Sequence, residues 1–363
     1  HRGTMTTRSA TMVAAALAAL AAVPAAAQEP AAACAAYGAT LAPRCISVAQ
    51  AAGAVQPQLG ILYAGGNPTL GTASTGGIRL GIIPRVSLSG RLNLGFVDVP
   101  AITSEDRDSP GTYATEKVRI FSPALGVNAS IGLLPGAGIA PTLGGVGSVD
   151  LLVSAAWMPT DLIGGDAFKS GGAPVAVGAG VRVGLLRESF LTPGLSVSLM
   201  HRRQGGMQLG NVCEEEELEG DAPGETVCLG AGGGTGTGGD QGEVQFNVKG
   251  WSARGAISKR LLGFGITAGL GWDRFESDVD FAFRGEVAGA AGSSRVYRVL
   301  DRTVESSRTS AFLDFSYTLL IGSVVGEVGW MQGGERLEGY PTDADFDPEK
   351  GTVFGSIGAR LSL

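Results

Sequence analysis

The sequence predicts an all-β protein: an antiparallel transmembrane β-barrel of about twelve strands, with short turns at one end and long loops at the other. Three observations carry this. Segment after segment alternates apolar with polar or small residues, the period-2 pattern of a strand with one greasy face. Mean hydropathy is positive, +0.20, yet only 17% of residues are charged, against about a quarter in ordinary soluble proteins. The apolar excess cannot lie in spanning helices. The longest uncharged stretch of the mature chain, Ile120 to Val149, contains Pro123, Pro135 and Pro141, which break helices. A closed barrel is the other architecture that satisfies every backbone group in lipid.

Taken in order, the chain opens with Met5-Thr-Thr-Arg8, an uncharged run to Ala27 and Ala25-Ala-Ala27 before Gln28. A basic start, an apolar core and an A-x-A site describe a secretory signal peptide. Residues 1–27 are therefore expected to be removed. Export permits disulfides. The chain has four cysteines, and local pairing, Cys34 with Cys45 and Cys213 with Cys228, is the simplest of three connectivities. Residues 28–57, rich in Ala and Pro, read as a periplasmic extension holding the first pair. Such a segment either tucks into the barrel or stays a solvent-exposed linker.

From 58 to 363 the alternation gives strands near 58–66, 75–83, 86–97, 117–133, 142–157, 173–186, 194–204, 243–260, 263–275, 304–319, 323–332 and 351–363. Links at 84–85, 134–141, 187–193, 261–262 and 320–322 are short. Links at 67–74, 98–116, 158–172, 205–242, 276–303 and 333–350 are longer. Transmembrane barrels have short periplasmic turns and longer extracellular loops. An even strand count then leaves both termini periplasmic.

The last residues, Ser356-Ile-Gly358-Ala-Arg-Leu361-Ser-Leu363, make a strand that runs to the chain end. The segment resembles the C-terminal signal of bacterial outer-membrane β-barrels: a polar residue, a Gly two later, and hydrophobic residues three and five after the Gly. Ser356, Gly358, Leu361 and Leu363 occupy those slots, with Leu363 where the family usually ends in Phe or Trp. The resemblance implies a porin-like integral protein of the outer membrane. Its partners would be membrane lipid, lipopolysaccharide and the barrel-assembly machinery. Across the closure the last strand is expected to meet 58–66.

Chemistry is sparse. The only mature histidine, His201, shares parity with Leu195, Val197 and Leu199, which puts it on the lipid side near the rim. There is no zinc-type His pair and no G-x-S-x-G serine, so no enzyme and no cofactor are expected. Gly234 to Gly239 matches G-x-G-x-x-G without a βαβ setting and reads as a flexible loop. The acids Glu214 to Glu217, Glu219 and Asp221 lack EF-hand spacing and read as a solvated loop. Nothing suggests nucleic acid.

Parity turns Arg79, Arg91, Arg182, Arg202, Lys249, Arg254 and Arg360 inward, with Asp273, Asp314 and Glu327. Inward charges either line a water-filled path or form a structural network. Many inward glycines leave room for a path, and an Arg excess would favour anions. The expected function is passive passage of small hydrophilic solutes, with a non-transporting surface-interaction barrel as the alternative.

Overall fold

The computed structural model describes residues 29–76, 78–79, 83–102, 112–138, 144–159, 168–169, 174–213, 217–219, 225–228, 240–286 and 294–362. The expected signal peptide, the glycine-rich loop 234–239 and Leu363 lie outside them.

Two helices come first, α1 (Glu29–Cys34) and α2 (Gly38–Ala64), joined by one 3-10 turn at Ala35–Tyr37. Two short strands follow, β1 (Ile78–Arg79) and β2 (Ile83–Pro84), paired only with each other. The long strands then begin with β3 (Val86–Pro100), β4 (Lys117–Leu134) and β5 (Ser148–Trp157). After a short β6 (Phe168–Lys169) come β7 (Val175–Leu186) and β8 (Gly194–Gln204). The strands β9 (Met207–Leu209), β10 (Glu217–Glu219) and β11 (Glu225–Cys228) build the long loop after β8. The chain ends with β12 (Gly242–Leu261), β13 (Phe264–Glu286), β14 (Ser294–Leu319), β15 (Gly322–Met331) and β16 (Thr352–Ser362).

Ten of these strands close a ring in the order β3-β4-β5-β7-β8-β12-β13-β14-β15-β16, every pair antiparallel. β16 returns to β3, with Ile357 opposite Leu92 and Leu361 opposite Leu88. Closure removes the open edges that lipid cannot solvate.

The barrel is as expected, but its first two strands are not. Residues 58–64 are the last two turns of α2, and the described residues of 75–83 belong to no ring strand. The closing partner of β16 is therefore β3. The first strand of the ring begins at Val86. Leu59, Ile61 and Tyr63 do alternate with Gln58, Gly60 and Leu62, which imitates a strand. The Ala-rich run upstream favours a helix instead, and wall contacts sustain it past Pro57. The expected loop 276–303 is also mostly strand. β13 and β14 continue as a long hairpin beyond the ring, because Phe281 and Phe283 alternate inward and are buried.

Outside, the ring is apolar. Leu88, Val127, Val153, Val181, Val197, Ile257, Leu270, Phe315, Val328 and Ile357 are exposed. Trp157, Trp251 and Trp330 stand toward the long-loop end of this band, and Phe264 meets Tyr317 at 4.7 Å at the turn end. Aromatic belts of this kind mark membrane–water boundaries. Helix α2, 27 residues and about 40 Å long, runs inside the ring.

Candidate functional site: the plugged lumen

Helix α2 enters from the long-loop end. Tyr37 packs edge-on against Phe283 at 5.0 Å and its hydroxyl donates to the Arg298 carbonyl at 3.3 Å, far up the β13–β14 hairpin. A disulfide, Cys34–Cys45, ties α1 to the first turns of α2. Cys213 is disulfide-bonded too, and the side chain of its expected partner, Cys228, lies outside the described residues.

Descending, α2 meets the wall through glutamines and small residues. The Gln58 side chain donates to the Asp98 carbonyl and accepts the Asp98 N–H, both at 2.8 Å. Gln56 donates to the Val304 carbonyl at 3.0 Å. Val55, Leu59, Ile61 and Leu62 are fully buried, each contributing roughly 1.5–3 kcal/mol of gross burial. Close approach requires glycine here: a Cβ on Gly60 would lie 2.2 Å from the Phe275 ring, and one on Gly95 would lie 2.5 Å from Leu62. The inward glycines Gly95, Gly184 and Gly358 thus receive plug side chains, where the sequence suggested empty space.

Below Ala64 the chain continues as an irregular segment, 65–76, and here the inward charges converge. The helix ends with its last carbonyls exposed. Asn93 donates to the Leu62 carbonyl at 2.6 Å, Arg254 to Gly66 at 2.9 Å and Arg91 to Asn67 at 2.5 Å. Glu327 accepts the N–H groups of Gly66 and Asn67 at 2.9 and 2.7 Å. Asp314 accepts the Asn67 side chain at 2.6 Å and the Gly71 N–H at 2.9 Å. Arg360 donates to the Leu70 carbonyl at 2.6 Å, and Arg182 donates to the Thr69 hydroxyl. Asp150 accepts the Gly76 N–H at 3.0 Å.

Inward charges also pair with each other, across neighbouring strands or, for Arg91 and Glu327, across β16. Arg182 meets Asp150 at 2.6 Å, Arg254 meets Asp273 at 2.8 Å and Arg91 meets Glu327 at 3.7 Å, all buried. Such pairs recover the cost of desolvation only when their remaining hydrogen-bonding capacity is also met. The plug supplies part of that capacity, through the carbonyls of Gly66 and Asn67, the N–H groups of Gly66, Asn67 and Gly76 and the Thr69 hydroxyl.

The structure places Arg91, Arg182, Arg254, Asp273, Asp314, Glu327 and Arg360 inside the barrel and buried. Arg202 is also inward and donates to Ser252 at 2.7 Å. Lys249 is a correction: it lies on the outer face and pairs with Asp278 at 3.2 Å. It is five residues from Arg254, an odd interval, so the two cannot share a strand face. The Arg79 side chain lies outside the described residues. Asp150 was missed because glycines 144, 145 and 147 obscured the start of β5; its alternation with Ser148 and Ser154 was the available signal. Asn67 carried no signal, since its partners come from distant strands.

In the terminal segment, Ser356 faces the lumen and donates to Glu327 at 3.3 Å, while Leu361 is exposed to the lipid side. A Cβ on Gly358 would lie 2.4 Å from the Gly90 carbonyl and 2.8 Å from Leu70, so that position needs glycine. His201 is outward and packs against Trp251, the rings tilted by 42° with centroids 4.8 Å apart.

The Ser362 N–H bonds to Ile321 at the turn end at 3.1 Å. Tyr37 and Ser362 therefore lie at opposite ends of the barrel.

The fold is that of an outer-membrane β-barrel. No protein-family model matches the chain, and no curated protein matches it. Among solved structures it is similar to the translocator domain of the autotransporter NalP from Neisseria meningitidis. That alignment has 12% identity and a TM-score of 0.36, covering 77% of this chain and 88% of that one. It is also similar to the transport unit of the autotransporter AIDA-I from Escherichia coli, with 8% identity, a TM-score of 0.35 and coverage of 86% and 99%. A third is the outer membrane protease OmpT from Escherichia coli, with 12% identity, a TM-score of 0.26 and coverage of 77% and 96%.

Proposed function

We propose that this chain is a self-plugged, non-catalytic barrel that anchors its N-terminal helix and long loops at the outer surface. The observation that carries the reading is the clamp on residues 65–76, in which charges from six different ring strands hold one backbone segment. In this reading the short turns and Ser362 face the periplasm, and Tyr37 and the loops face outward. Lipid and lipopolysaccharide surround the apolar band, and the assembly machinery reads β16.

Planar-bilayer recording tests it. The full-length protein is expected to be silent, and a variant lacking 29–76 is expected to give stable conductance steps. Steady single-channel steps from the intact protein would sink the reading. A peptide tag placed before Glu29 should also be reached by antibody on intact cells.

A second reading keeps the passage of small hydrophilic solutes, gated by departure of the plug. It is favoured by the completeness of the ring, whose strand pairing does not use residues 29–76. The clamp also consists of hydrogen bonds that water can replace. An emptied lumen would present Arg91, Arg182, Arg202, Arg254 and Arg360 against Asp150, Asp273, Asp314 and Glu327, a slight basic excess. The deletion variant should then show mild anion preference in a salt gradient. A cation preference would refute that part.

A further inference from the structure

Above the clamp, a cavity of about 320 Å³ opens between α2 and the wall at the long-loop end, within the usual range for ligand sites. One bank is the run Val304 to Arg308 of β14 and the other is Met331 to Glu335. Side chains of a strand alternate between faces. Consecutive residues can line one cavity only if it meets the strand edge-on.

The pairings agree. β15 leaves β14 at Ser310, opposite Met331, and β11 rejoins it only at Tyr297. Residues 302–308 pair with β13 on one side alone. Thr309 still accepts the Gln332 N–H at 2.8 Å. By the two-residue repeat of an antiparallel ladder, the N–H and C=O of Ser307 and Glu305 face that same edge, with no strand beyond them among the described residues; the Ser307 carbonyl there accepts only the Arg308 side chain.

Two further features point to a ligand. Arg308 is nine-tenths buried on the cavity wall; it donates to the adjacent Ser307 carbonyl at 2.9 Å and forms no ion pair among the described residues, the carboxylate acting on it being that of Glu335 on the other bank. A guanidinium in that state calls for an anion. The floor is α2 at Gly53 and Pro57. Pro57 has no N–H to give the Gly53 carbonyl, and a Cβ on Gly53 would meet nothing within 4 Å.

We propose that this cleft binds a short extended peptide that adds to the free edge of β14 and places a carboxylate on Arg308. Backbone pairing at Glu305 and Ser307 would supply affinity, and Arg308 would select an acidic end. The inference does not depend on whether the lumen conducts.

The probe is a fluorescein-labelled Thr-Val-Thr-Val-Asp pentapeptide, followed by anisotropy with the full-length protein in detergent. Saturable binding is expected. Arg308→Gln should weaken it roughly tenfold or more, the loss of one charge-assisted hydrogen bond, as should amidation of the peptide's carboxylates. N-methylation at the second valine should weaken it further by removing a pairing donor. Gly53→Leu, which fills the floor with a better helix former, should abolish binding while the barrel keeps its heat-modifiable gel shift. Absence of saturable binding overturns the proposal. So does equal affinity of wild type and R308Q, or of the plain and N-methylated peptides.

Discussion

The side-chain amide of Asn67 donates to the carboxylate of Asp314 at 2.6 Å, while the Asn67 backbone N–H donates to Glu327 at 2.7 Å. One plug residue thus bridges β14 and β15 from inside. These contacts make the plug a folded part of the barrel, and they make its removal measurable.

Glu327 is the first test. It accepts two plug N–H groups and faces Arg91. Glu327→Ala leaves a buried guanidinium without its counter-charge, which costs about 3–5 kcal/mol. Amide exchange at residues 65–72 should accelerate strongly while β3 and β16 stay protected. Unchanged protection of 65–72 would show that the clamp does not hold the segment. Glu327→Gln, which still accepts hydrogen bonds, should have a smaller effect.

Gly60 tests the helix–wall contact separately. A side chain there collides with Phe275, and overpacking typically costs 1–3 kcal/mol. Gly60→Val should release α2 to proteolysis within the lumen without lowering the melting temperature of the ring. A double variant, Gly60→Val with Phe275→Ala, should restore protection. If it does not, the collision is not the cause.

The disulfide Cys34–Cys45 spans 11 positions. Opening a loop of that size forfeits about 2–3 kcal/mol. Reduction should therefore loosen α1 and the top of α2, seen as faster cleavage near Ala33 to Arg44, with no change in conductance. New conductance on reduction would mean that the top of the helix, and not the clamp at 65–76, closes the lumen.

The exterior gives a control independent of the plug. Val197 is exposed in the middle of the apolar band. Val197→Arg should destabilise the protein by about 2–4 kcal/mol in bilayers, read from denaturant unfolding in lipid vesicles. Ser198→Ala on the opposite face of β8 should cost far less. Equal costs would contradict the assignment of faces.

Much of the barrel was legible because a strand with lipid on one side must alternate. The positions of Arg91, Arg182, Arg254 and Asp314 followed from neighbours such as Leu92, Val181 and Leu313. Lys249 shows the limit: parity holds only when counted from the same strand origin. Ten of the twelve expected strands appear near their expected positions. Of the two that fail, 58–66 lies inside the ring as helix and its continuation, and the described residues of 75–83 pair only with one another. A plug sees polar and glycine-lined walls, so nothing imposes a period-2 pattern or a clear helical stripe on it.

The sequence by itself determined the closed antiparallel barrel, its apolar exterior and the inward charges, because bilayer solvation acts on each residue locally. Only the tertiary structure decided that the lumen is filled, that Tyr37 lies at the opposite end from Ser362 and that Arg308 sits beside a strand edge with no partner strand among the described residues. Those outcomes depend on contacts such as Asn67–Asp314 and Gln56–Val304, between residues about 250 positions apart, which no local pattern records.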